Sequence, residues 1–402
     1  MADFFHSGVI TTLHRLGKPN PERLFAELEL YSTLRPIALV LPALYSDVMG
    51  DAMKIIIEEL KGARFINEIV LALGPATEQE FQDVRKFVSG LPHEVKVVNT
   101  GGKRLKDLYN ALEESGVSAG VDGKGRSAWT AYGYILARGK SGIIALHDCD
   151  ILSYNLEMLG RLCYPVASPT LDYVFCKGYY ARVTDKLHGR VTRLFVTPLI
   201  RSLGRMCGNH PSLEFMDSFR YPLAGEFCMI TDLARINRIP WDWGLEVGVL
   251  SEVYRNYSAK RVCQVDIAEN YEHKHQPLSE ADPATGLMKM SIDIAKSLFR
   301  TLASEGIVFS DGFFKSLRAA YLRLAEDMIM KYEGDAAING LSFDRHEEAK
   351  AVDAFTKSIA MAAGTIMENP LGAPLIPNWN RVISAIPGVL ERLKSAVEDD
   401  NR

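Results

Sequence analysis

No run of apolar residues in this 402-residue chain reaches the roughly 18 that a membrane-spanning helix needs, so no membrane helix is expected. Residues 1–10 lack the basic start and long apolar stretch of a secretory leader, and none is expected there. None of the six cysteines, Cys149, Cys163, Cys176, Cys207, Cys228 and Cys263, stands in a C-x-x-C pair. They are read as free thiols of a reducing, cytoplasmic protein. A basic excess is missing too. Lys and Arg total 46 against 50 Asp and Glu, a formal charge of -4, so nucleic acid is not expected as the main ligand. There is no Gly-x-Ser-x-Gly, His-Glu-x-x-His, Gly-x-Gly-x-x-Gly or Walker A pattern. Serine hydrolase, zincin, simple dehydrogenase and P-loop readings therefore have no support.

What is present is an ordinary globular composition, 47% apolar and 24% charged. Residues 1–34 read as a helical segment. A short unbroken apolar run at 36–44 reads as a buried strand, as do 66–74, 94–99 and 142–146, and helical spacing fills 52–60, 78–88 and 126–137 between them. Strand and helix alternating through short connections predict an α/β, doubly wound sheet whose ligands lie beyond the strands' carboxyl ends. Residues 42–47, 74–77, 99–103 and 147–152 should then share one rim. Further on, 173–181 and 261–268 read as strands and 190–203 and 245–257 as helices. From about residue 285 the pattern is helical throughout, at 288–303, 313–332, 346–362 and 379–397. The expected division is an N-terminal segment over 1–34, a catalytic α/β domain over 35–284 and a C-terminal helical region over 285–402.

The sharpest chemical feature is His147-Asp148-Cys149-Asp150, directly after the strand at 142–146. Two carboxylates spaced this way can hold a hard divalent cation and contact a ribose or metal-bound water, although a structural loop can carry the same pair. Gly123-Lys124-Gly125-Arg126 opens a helix, where two glycines admit close backbone approach and the lysine adds positive charge for an anion. Gly189-Arg190-Val191-Thr192 is a second glycine-led helix start, whose arginine can take a phosphate or carboxylate bidentately. In Tyr271-Glu272-His273-Lys274-His275, either histidine could add a metal nitrogen ligand. Glu226, after Gly225, and Glu246, after Trp241-Asp242-Trp243-Gly244-Leu245, place carboxylates near aromatic rings, which suits sugar recognition or a paired acid in a tryptophan cluster.

Taken in order, Leu41-Pro42-Ala43-Leu44, Gly123-Lys124-Gly125, Asp148-Cys149-Asp150, Gly189-Arg190-Val191-Thr192, Leu223-Ala224-Gly225-Glu226, Gly244-Leu245-Glu246-Val247-Gly248 and His273 resemble the glucosyl-3-phosphoglycerate synthases. These are retaining GT-A glycosyltransferases related to the mannosyl-3-phosphoglycerate synthases, and the resemblance spans residues 36–280. It implies a Rossmann-like nucleotide-diphospho-sugar transferase sheet, here with a C-terminal helical extension. It also implies a nucleotide-sugar donor (UDP-glucose or GDP-glucose), 3-phosphoglycerate as acceptor and Mg²⁺ or Mn²⁺ as cofactor. By matching position, Pro42, Ala43 and Leu44 line the uridine pocket and Lys124 contacts the donor nucleotide. Asp150 ligates metal with Asp148 beside it, and His273 is the further ligand. Gly189, Arg190 and Thr192 hold the acceptor's phosphate or carboxylate, and Glu246 contacts sugar hydroxyls. Asp148, Asp150 and Glu246 make up the expected catalytic set. A mannosyl transferase using GDP-mannose and a non-catalytic nucleotide-sugar-binding protein are the competing readings. The resemblance also implies a homodimer. With every chemical residue before position 280, part of the helical tail is expected at the two-fold interface rather than at the site.

Overall fold

The computed structural model describes residues 5, 6, 8–18, 20–208, 210–272, 285–371 and 375–402. Its centre is an eight-stranded sheet built from β1 (Thr11–Leu13), β2 (Ile37–Ala43), β3 (Glu68–Leu73), β4 (Glu94–Asn99), β5 (Ile143–Leu146), β6 (Phe175–Tyr180), β7 (Phe227–Ile230) and β9 (Val262–Ala268). Their order across the sheet is β1-β9-β6-β7-β5-β2-β3-β4. All neighbours are parallel except β7, which runs antiparallel to both β5 and β6. A two-residue β8 (Ile239–Pro240) pairs with β10 (Leu375–Ile376) apart from the main sheet.

The sequence explains the central strands directly. β2, β3 and β5 are buried along their whole length, as aliphatic strands covered on both faces must be. Pro42 is tolerated in a central strand because β2 pairs with β5 only as far as Val40, so the proline stands where one neighbour has already left. The expected rim forms. Gly74 N donates to Ala43 O at 2.8 Å, Thr100 N to Leu73 O at 3.0 Å, and Asn99 Nδ2 to Ala76 O at 3.1 Å.

Several expectations need correction. Residues 1–34 are not helical throughout. Thr11–Leu13 is an edge strand against β9, and the helix begins at Pro21, capped by Asn20. A three-residue strand has no readable period, and its partner lies about 250 residues away. The segment read as one helix over 190–203 starts as a turn of π-helix, Val191–Val196, before the α-helix Thr197–Cys207. The last predicted helix is two, Trp379–Ala385 and Val389–Asp400, parted at Pro387-Gly388, where Gly388 takes φ +78°.

The helices after residue 285 lie on one face of the sheet and share a single apolar cluster with the helix Lys124–Arg138. Phe299, Tyr321, Phe355 and Trp379 are buried in it beside Trp129 and Tyr134. The contact is specific. Trp129 and Trp379 stack with centroids 4.0 Å apart, and each indole N–H donates to a carbonyl on the other's segment, to Pro377 O at 2.9 Å and to Trp129 O at 3.2 Å. Gly133 makes room for this, because a Cβ there would lie 2.0 Å from the Trp379 ring. No helix among the described residues is long and apolar enough to cross a membrane.

Candidate active site

The site lies beyond the carboxyl ends of β2, β3 and β5. Pro42 and Ala43 close β2 and are buried, and Leu44 follows with its side chain largely exposed. Leu44 reaches over Gly74, where a Cβ would meet Leu44 Cδ2 at 2.8 Å. Asp47 folds back to accept from Leu44 N at 3.2 Å, fixing this corner.

Lys124 opens the helix Lys124–Arg138 and its ammonium lies between two carboxylates. Nζ is 2.6 Å from Asp148 Oδ1, past the end of β5, and 3.0 Å from Glu246 Oε1, in the first turn of the helix Leu245–Asn256. Burial acts to lower the Lys124 pKa, but the two carboxylates outweigh it and hold the pKa well above its ordinary value. The sequence placed these three residues in one site, and the structure brings them into contact. It gives the flanking glycines a packing task. A Cβ at Gly123 would lie 2.3 Å from Trp241 O, and one at Gly125 would lie 1.9 Å from Pro240 O. The close backbone approach that they permit is to the protein's own chain. Gly225 has a similar role beside Asp148, since its Cβ would fall 2.5 Å from Asp148 Oδ2.

Beneath this centre is a polar layer that the sequence only partly revealed. Glu226 is fully buried and accepts from Tyr271 Oη at 2.5 Å and Tyr180 Oη at 2.7 Å. Burial and the nearby Asp148 charge raise its pKa despite those two bonds. The two tyrosines stack with centroids 3.8 Å apart. Lys177, on β6, is buried and donates to Ala224 O at 2.7 Å. Burial lowers its pKa to about 8, against the pull of Glu246 and Glu226. A lysine inside the run Phe175–Tyr180 is a signal that could have flagged it, because an unpaired charge does not enter a buried strand. His147 is also buried, bonded through Nδ1 to Asp148 O at 2.8 Å, and burial lowers its pKa to about 4.

Asp150 follows on the same loop and is partly exposed. Among the described residues no group of three or more His, Cys, Asp or Glu side chains forms a metal cluster. His273 and His275 lie outside the described residues. The chain that leads to them is tied to the Asp150 loop, with Leu152 N donating to Glu272 O at 2.8 Å and Glu272 N to Ser153 Oγ at 3.0 Å.

The second glycine-led corner joins this polar layer through Tyr221, whose ring centroid lies 4.9 Å from that of Tyr180. Gly189 takes φ +74°, a left-handed turn that a side chain would strain, and passes beside Tyr221. Arg190 then donates through Nε to Glu348 Oε1 at 2.6 Å. Thr192 is buried, and its hydroxyl has no hydrogen-bond partner among the described residues. Arg193, which the sequence reading passed over, lies 2.9 Å from Glu348 Oε2. A carboxylate of the C-terminal helical region, Glu348, thus pairs with both arginines of this segment. Nothing local in the sequence around Glu348 marks it.

No family model matches the chain. It is 51% identical over 401 residues to the glucosyl-3-phosphoglycerate synthase of Persephonella marina, covering 100% of this chain and 99% of that one. It is 37% identical over 397 residues to the synthase of Methanococcoides burtonii, covering 98% and 96%. In fold it is similar to a crystal structure of the Mycobacterium tuberculosis synthase in complex with Mn²⁺, UDP-glucose and phosphoglyceric acid. That match has a TM-score of 0.54 and 22% identity, and covers 75% of this chain and 89% of that one. With the rim site in place and near full-length likeness at these identities, the chain belongs to the glucosyl-3-phosphoglycerate synthase family.

Proposed function

We propose that this protein moves glucose from a nucleotide sugar, UDP-glucose or GDP-glucose, to 3-phosphoglycerate with retention, giving glucosyl-3-phosphoglycerate. The single observation that carries the reading is that the residues expected for donor and acceptor form two clusters, each around a cation. One is Lys124 with Asp148 and Glu246 at the rim, and the other is the Arg190 corner. Relatives of the same name over essentially the whole length support it.

In the proposed transfer the bond from the sugar's C1 to the diphosphate oxygen breaks, and a bond from C1 to the acceptor hydroxyl oxygen forms on the same face. The hydroxyl proton passes to the departing phosphate oxygen, so no protein carboxylate is required as base. Lys124, kept charged by its two partners, faces the negative charge of the donor. Glu246 uses one oxygen on Lys124 and can accept a sugar hydroxyl with the other. Pro42, Ala43 and Leu44 supply the apolar rim for the base. Gly189, Arg190 and Thr192 take the acceptor's phosphate or carboxylate, and the unpartnered Thr192 hydroxyl is suited to that contact.

This reading includes a divalent cation, Mg²⁺ or Mn²⁺. Such an ion is commonly held by one or two carboxylates and substrate phosphates, so a cluster of three protein ligands is not needed. Asp150 would hold it, with His273 as the second ligand and Asp148 alongside. When bound, the cation neutralises charge that collects on the leaving diphosphate. We further propose a cytoplasmic homodimer. The described cysteines are all free thiols, five of them buried, as a reducing compartment allows.

The test is a donor-by-acceptor matrix: UDP-glucose, GDP-glucose and GDP-mannose against 3-phosphoglycerate and glycerate, with Mg²⁺, Mn²⁺ or EDTA. The expected product is glucosyl-3-phosphoglycerate with retained anomeric configuration by NMR, absent in EDTA and absent with glycerate. Preferred turnover of GDP-mannose, or binding of every donor without turnover, contradicts the proposal. Light scattering checks the dimer, and a monodisperse monomer at micromolar concentration refutes it.

A further inference from the structure

We infer that Glu348, in the C-terminal helical region, is a positioning residue for the acceptor and works through Arg190 and Arg193. This inference rests on the acceptor reading of Arg190. Glu348 sits in the first turn of the helix Arg345–Glu368 and its side chain is 5% exposed. Each carboxylate oxygen takes one guanidinium, Oε1 with Arg190 Nε at 2.6 Å and Oε2 with Arg193 Nη1 at 2.9 Å. Two cations three positions apart on one helical turn repel each other, and the carboxylate between them removes that repulsion. One carboxylate against two guanidiniums still leaves a net positive charge for an anionic ligand.

The geometry separates the two arginines by task. Arg193 is 11% exposed, donates through Nε to His188 O at 2.8 Å and lies 4.7 Å from the Tyr332 ring centroid. It is anchored from several sides. Arg190 remains 34% exposed, and its bond to Glu348 uses Nε. The pair of terminal nitrogens that a phosphate takes bidentately is not spent on that bond. A long, flexible side chain held at one edge loses less freedom when its ligand arrives.

The tail grips the same segment at two more points. Ser342 donates through N at 2.8 Å and through Oγ at 3.0 Å to Asp185 O, just before the glycine turn. Tyr321 Oη donates to Leu194 O at 2.7 Å, inside the π-helical turn. Such a turn widens the backbone and displaces a carbonyl from its usual partner, and π-turns are frequent at functional sites. Residues 185–194, which carry the acceptor contacts, are thus held in place by helices more than a hundred positions away.

The test compares Glu348→Gln, Glu348→Asp, Tyr321→Phe and Arg190→Ala, with kcat, both KM values and the melting temperature of each. Glu348→Gln should raise KM for 3-phosphoglycerate roughly 10-fold or more, with kcat and donor KM within about two-fold. Glu348→Asp, which keeps the charge, should recover part of the loss. Tyr321→Phe should shift the same KM in the same direction by a smaller factor, and it carries the test if Glu348→Gln does not fold. An unchanged acceptor KM in a folded Glu348→Gln protein overturns the inference. So does a lowered one, which would make Glu348 a competitor for Arg190 rather than its support. So does a parallel fall of all constants with the melting temperature, which marks a structural role only. If Arg190→Ala itself leaves the acceptor KM alone, the acceptor reading has failed, and with it this inference.

Discussion

The two sites proposed for donor and acceptor are built in different ways. In the proposed donor site, Lys124, Asp148 and Glu246 come from a helix start, a strand end and another helix start around one sheet rim, and two carboxylates hold the one ammonium. In the proposed acceptor site, Arg190 and Arg193 sit on one turn and take their counter-charge from a helix about 158 positions further along. The first site follows from the architecture, because a doubly wound sheet delivers its strand ends to a common edge. The second exists only after the tail has packed on the domain. Sheet topology can therefore specify a donor site, while a site on a connecting segment needs outside support to hold its shape.

Four perturbations sharpen that contrast. Asp150→Ala should have the largest effect and cut turnover on the order of 10²-fold or more, the scale of losing charge stabilisation at a transition state. Steady-state rates against metal concentration check it, and a variant fully active in EDTA would remove Asp150 from the metal. Arg190→Ala should act on the other site alone. KM for 3-phosphoglycerate should rise about 10–150-fold, the range for a hydrogen bond to a charged group, while donor KM stays near normal. Gly225→Ala should damage the donor side sterically, because the new methyl group would fall 2.5 Å from Asp148 Oδ2. We expect kcat to fall about 10-fold or more, with the acceptor KM little changed.

The smallest effect belongs to neither site. Glu398, near the end of the chain, pairs with Lys96 at 2.8 Å and accepts from Tyr134 Oη at 2.6 Å and Arg138 Nη1 at 2.9 Å. Burial acts to raise its pKa, but these bonds outweigh it and hold the carboxyl down to about 2. A depressed carboxyl contributes stability that is present above its unfolded value, near 4.5, and is lost as pH falls toward about 2. Allowing for its partial exposure, Glu398→Gln should cost about 1–2 kcal/mol at pH 7. Denaturant melts of wild type and variant should converge as pH drops below about 3, and both site functions should be unaffected at neutral pH.

The sequence revealed most where one residue type has one use. Short, mostly aliphatic runs at Ile37–Ala43 and Glu68–Leu73, bounded by turns, read as buried strands, and the acidic pair after Leu146 lands on the rim because β5 ends there. Thr11–Leu13 was misread because an edge strand of three residues takes its identity from β9. The antiparallel β7 was missed because Phe227–Ile230 looks like any short apolar run, and direction is decided by its neighbours. Lys124, Asp148 and Glu246 were all named, but the pairing that holds them together was not. Periodicity places residues on a face and does not say which charges meet. Glu348 was out of reach for the same reason. In the sequence it is one of two adjacent glutamates near a helix start, and only tertiary packing separates the buried one from its half-buried neighbour Glu347.

The central claim is that donor and acceptor are held by separate sites with separate supports. Calorimetric titration tests it most directly: UDP with Mn²⁺, and 3-phosphoglycerate, each titrated into wild type, Lys124→Ala and Arg190→Ala. The account predicts a crossed pattern. Lys124→Ala should lose affinity for UDP and keep 3-phosphoglycerate within about two-fold, and Arg190→Ala should do the reverse, with the lost affinity about 10-fold or more in each case. If each substitution weakened both ligands equally in proteins that melt like wild type, Lys124 and Arg190 would belong to one site and the account would be contradicted.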